Sequence, residues 1–91
     1  MTNTNSKHLE EVAAFIKEHR SNEAAFEKLY SRLNEESEMP GSDDAYKNNL
    51  LEVKEKSVEE YRKAKEINGT AWPEFEKFVT GFEKAVLQAM H

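Results

Sequence analysis

Three histidines, His8, His19 and His91, are the side chains of this sequence best suited to holding a metal or moving a proton near neutral pH. Two imidazoles share a metal from one helical face only when three or four positions separate them, and no pair here is so spaced. A di-iron bundle needs Glu-x-x-His, but Asn5 and Ile16 stand three positions ahead of the two internal histidines. His8 opens a helical segment and His91 is terminal, so both read as solvated. His19 falls where an apolar stripe should continue and reads as a structural or boundary residue.

Carboxylates are numerous, yet general acid–base work requires two of them in a pocket that pushes their pKa values apart. Glu10-Glu11, Glu35-Glu36 and Glu59-Glu60 are adjacent in sequence, so on a helix their side chains diverge toward water. Glu36, Glu38, Asp43 and Asp44 lack the oxygen-ligand spacing of a calcium loop. There is no cysteine, and with three glycines no phosphate-binding loop or serine elbow is present. The residues therefore predict neither an enzyme nor a bound cofactor or metal.

A length of 91 residues suits one domain with one modest core, and 37% apolar residues against 34% charged is polar for a globular chain. The net charge of −5 disfavours nucleic acid backbones and anionic membranes as partners. Residues 1–34 are balanced, whereas Glu35, Glu36, Glu38, Asp43 and Asp44 form an acidic connection without a base. No apolar run approaches the ~18 residues of a membrane span, and cytoplasmic residence is the expectation. Asn68-Gly69-Thr70 fits a glycosylation acceptor but reads as turn chemistry.

Helix breakers are few and grouped at Pro40-Gly41 and at Gly69 and Pro73, which leaves three segments. None alternates as a strand would. The expected elements are a polar tail over 1–6, a helix over about 7–37, the acidic connection over 38–43, a helix over about 44–67, a turn over 68–71 and a helix over about 72–90. In the last helix Trp72, Phe75, Phe78, Val79, Phe82, Ala85 and Val86 fall within one arc of about 140°. Gly81 lies off that arc, with no packing role legible.

The middle helix carries a stripe of Tyr46, Leu50, Val53, Tyr61, Ala64 and Ile67, with Leu51 and Val58 on a second line one heptad apart. The first helix carries Leu9, Val12 and Ile16 on one stripe and Phe26, Leu29 and Leu33 on another turned away from it. An unbroken helix over 7–37 would also overhang the last one by about 15 Å or more. The fold class is all-α: a small antiparallel bundle of three helices, or of four where the first is bent or split near Arg20–Asn22.

Two helices joined by a turn bearing Trp72 resemble the WXG100 helical hairpins in outline only. Pro73 and Glu74 follow the tryptophan where that motif places a glycine two positions on, and Lys65 stands four positions after Tyr61 where its terminal signal has an acid. No family is assigned on that basis. The function expected is a non-catalytic protein–protein interaction module: a regulator, adaptor, inhibitor or immunity-type protein, with a homo-oligomer as one form of partnership. Its candidate interface residues are Leu51, Val58, Trp72, Phe75, Phe78 and Phe82, the last four because aromatic side chains serve both cores and binding hot spots. A binder of a small apolar ligand within the bundle and an acidic mimic of nucleic acid are the alternatives.

Overall fold

The computed structural model describes residues 3–40 and 43–90, of which 88% are helical, with no strand among them. Helix α1 spans Asn3–His19, α2 Phe26–Glu38, α3 Asp44–Val53, α4 Glu59–Asn68 and α5 Trp72–Ala89. A π-helical turn, Lys54–Val58, joins α3 to α4 without breaking the rod, so the bundle has four helical legs. Gly41, Ser42 and His91 lie outside the described residues.

The first segment is split, at the place where its two stripes disagree. Asn22 is extended at φ −136 and accepts from the Ala24 N–H at 2.9 Å, capping a single 3-10 turn, Glu23–Ala25, that leads into α2. The His19 ring closes the end of α1, its Nδ1–H donating to the Phe15 carbonyl at 2.8 Å. An asparagine cap thus does what glycine or proline does elsewhere. The expected tail also shortens, because α1 begins at Asn3.

Pairs across the bundle fix the directions of the legs. His8 meets Glu36 and Phe15 meets Arg32, so α1 and α2 are antiparallel. Glu36 meets Tyr46 and Phe26 meets Tyr61, which reverses α2 against the α3–α4 rod. Asn49 meets Gln88 and Tyr61 meets Phe75, reversing the rod against α5. Asp43 caps the rod by accepting from Ala45 N–H at 3.1 Å, and Gly69, at φ 77, ends it in the left-handed region that favours glycine. At about 1.5 Å per residue the rod is roughly 37 Å long. It accounts for most of the long dimension of 47 Å.

The π turn corrects the face expected of that rod. It takes up one extra residue, which rotates everything beyond it by about 100° relative to a straight α-helix. Val58 is thereby carried off its second line into the core, where it is 5% exposed. Ile67 is carried off the stripe and is 79% exposed.

Gly81 has a packing role after all. A methyl group built there would stand 3.0 Å from Val53 Cγ2, so the glycine lets α3 and α5 approach closely. Gly81→Ala gains up to about 1 kcal/mol of helix propensity but presses on a stiff β-branched side chain. The expected result is a net loss of about 1 kcal/mol, and a gain when Val53→Ala is added. Thermal unfolding of both variants checks it, and a stabilised single variant would show that the helices yield.

Candidate functional site

The candidate interface residues separate into two groups. Phe75, Phe78 and Phe82 are fully buried, and Val58 joins them in the core, so these four are not surface. Their burial follows from an aromatic chain through the bundle: Trp72 packs on Phe75 at 5.5 Å, Phe26 stacks on Tyr61 at 3.9 Å, and Phe78 reaches Phe26 at 5.2 Å and Phe82 at 6.3 Å. Leu51 and Trp72 remain exposed, at 43% and 39%.

The acidic connection also divides. Glu35, Glu38, Asp43 and Asp44 are exposed, but Glu36 is 1% exposed and belongs to the interior. The tyrosine hydroxyl of Tyr46 donates to Glu36 Oε1 at 2.9 Å, and His8 Nε2–H donates to Oε2 at 2.8 Å. The Arg32 guanidinium, one turn back on α2, brings Nε to 3.6 Å of the same oxygen. One carboxylate therefore bolts α1, α2 and α3 together, and His8, expected in water, is half-buried against it. Burial first, then the Glu36 charge and hydrogen bond, pushes the Tyr46 hydroxyl well above the ordinary range, so it stays a donor. The signal was present in the sequence: Glu36 continues the Phe26, Leu29, Leu33 stripe at the next i+3 step.

At the opposite end a second carboxylate reaches across the chain. Glu23 Oε2 accepts from the Ala71 N–H at 3.0 Å, and Oε1 accepts from Lys65 Nζ at 2.9 Å. Ala71 is the residue from which α5 starts, and it has no side-chain cap of its own. A negative charge from the 3-10 turn thus serves the positive end of the α5 dipole. Next to it a surface groove of ≈ 340 Å³ is lined by Phe26, Tyr61, Arg62 and Lys65 among others.

The hydrogen bond from Lys65, aided by the Ala71 N–H, holds the Glu23 carboxyl below its ordinary value of 4.5 against a smaller opposing push from burial. A carboxyl with a lowered folded pKa stabilises the fold above its unfolded value, and that contribution is lost as pH falls through the lowered one. Stability should therefore decline below about pH 4.5 with a component that Glu23→Gln removes. Urea unfolding at a series of acid pH values measures it, and parallel curves for the two proteins would remove Glu23 from the account.

Among the described residues no three His, Asp or Glu side chains gather closely enough to hold a metal ion. Neither of the two carboxylate assemblies opens a reacting position: the Glu36 oxygens are engaged by Tyr46 and His8, those of Glu23 by Lys65 and Ala71. Two further surface grooves run along α1–α2, near Phe15 and His19, and along α3–α5, near Asn49 and Gly81. Phe75, Phe78 and Phe82 line none of these three grooves. No described helix is long and apolar enough to cross a membrane.

Among the described residues four large apolar side chains are exposed: Leu51, Ile67, Trp72 and Leu87. Ile67, in the last turn of α4, and Trp72, in the first turn of α5, are large apolar side chains exposed on either side of a short turn. The sequence points to Trp72 but places Ile67 in the core stripe, which the π turn overrides. Compared with known proteins, the chain matches no family model, no curated protein and no solved structure.

Proposed function

We propose that the chain is a non-catalytic, cytoplasmic helical module that binds a protein partner through the α4–α5 end of the bundle. The observation that carries this reading is the pair Ile67 and Trp72, 79% and 39% exposed at one end of a bundle whose Phe75, Phe78 and Phe82 are spent on its core. Large apolar side chains exposed together at one end of a bundle have the make-up of a binding anchor, and one turn back on α4 Ile67 is flanked by Lys63 and Ala64. The phenylalanines support the fold and have no part in the contact. Leu51, exposed on α3 far along the rod from that end, serves as the control, since exposed leucines are ordinary on protein surfaces.

The test is affinity capture with the wild type, Ile67→Glu and Leu51→Glu, with circular dichroism and sedimentation on each. Ile67→Glu should lose the partner and Leu51→Glu keep it, at equal helix content. A second copy of the chain as the partner would appear as a concentration-dependent mass lost in the same variant. A partner retained by Ile67→Glu would place the contact elsewhere.

A further inference from the structure

Residues 44–68 present two different faces depending on a single residue of rotation. As an uninterrupted α-helix, Ala64 and Ile67 line up with Tyr46, Leu50, Val53 and Tyr61, while Val58 stands outside beside Leu51. With the π turn in place Val58 is inside and Ile67 is outside. Both arrangements bury Tyr61 and one branched aliphatic side chain. They differ in which one.

Nothing in the sequence of the π turn pins it. Its residues are Lys-Glu-Lys-Ser-Val, with no proline or glycine of the kind that fixes a helix distortion in place. At Gly69 the α4–α5 turn is unpacked, since apart from its chain neighbours no atom lies within 4 Å of where a side chain would begin. Trp72, half-exposed at the same end, offers apolar surface to an inward-turned Ile67.

We infer that α4 has two packing registers exchanged through Lys54–Val58. In the second, the extra residue is absorbed into regular α-helix and α4 turns about its axis by about 100°. Ala64 and Ile67 then face inward, Val58 emerges beside Leu51, and the Lys65–Glu23 contact is given up. The exchange trades one buried aliphatic group for another, and regular hydrogen bonding for one surface ion pair. Discrete alternatives of this kind are how packed helices move. The inference does not rest on the proposed function, although its second register withdraws Ile67 from the proposed contact.

Because the chain has no cysteine, single thiols report on each register. Leu50 precedes the π turn and faces the core in both, whereas Val58 is buried in one only. With each rate taken relative to that variant's own global unfolding, Val58→Cys should react with a thiol reagent at least about tenfold faster than Leu50→Cys under native conditions. Deleting Lys56 removes the extra residue and leaves both halves of the rod in the observed register. The shortened chain should stay folded and slow the Val58→Cys reaction to the Leu50→Cys rate. Equal rates in the full-length chain would overturn the inference, and so would an unfolded deletion variant, since only a helix holding a surplus residue keeps its face when one is removed.

Discussion

Phe78→Ala should lower stability by about 3–5 kcal/mol, the cost of truncating a fully enclosed aromatic ring. Phe78 is 0% exposed and touches the rings of Phe26 and Phe82, so its loss opens a cavity between α2 and α5. A domain of this size has only about 5 kcal/mol to lose, and the variant should be largely unfolded at 37 °C. Leu51→Glu, on the open face of α3, should change stability by no more than about 0.5 kcal/mol. Urea unfolding of the pair separates core from surface. A Phe78→Ala protein with near-native stability would mean that the ring faces a space able to collapse, or water.

Glu36→Ala should cost about 3 kcal/mol, unusual for a glutamate drawn from an acid-rich stretch. The loss comes from what is left behind: the Tyr46 hydroxyl without its acceptor, and Arg32 Nε, already buried without a hydrogen bond, without its counter-charge. Tyr46→Phe alone should cost about 1.5 kcal/mol, as for a hydrogen bond to a charged group. Glu36→Leu with Tyr46→Phe should recover much of the loss, because an apolar pair leaves no orphaned donor between α2 and α3. The double-mutant cycle should give a coupling of about 1–2 kcal/mol between the two positions. A glutamate cost below about 0.5 kcal/mol would put the carboxylate in solvent.

The all-α class was legible because burial in α5 follows one straight helix. Phe75, Phe78, Val79, Phe82, Ala85 and Val86 sit at helical spacing behind Pro73, and all six are core. The split after His19 was legible as a conflict between two stripes, and the Asn22 cap resolves it. The α3–α4 face was misread because periodicity assumes a constant rotation per residue, and Lys54–Val58 departs from it with no marker residue. Glu36 was misread because charge was given priority over position on the stripe. At the candidate site, Trp72 could be found as a lone tryptophan at a turn. Ile67 could not, because its exposure follows from a distortion nine or more residues earlier in the chain.

In the fold, α1 packs chiefly along α5 rather than along its neighbour in sequence, with Arg20 donating to Glu83 at 2.6 Å across 63 positions, and α2 also reaches α5 through Phe26 and Phe78. Short-range pairing of helices gives fast folding, because little chain entropy is given up before each contact forms. The α1–α5 seam bears the largest loop-closure cost and is placed to form last, after α2, the rod and α5 have paired. Its opening would leave α2, the rod and α5 packed together, making α1 the part of the bundle that exchanges its amide protons soonest.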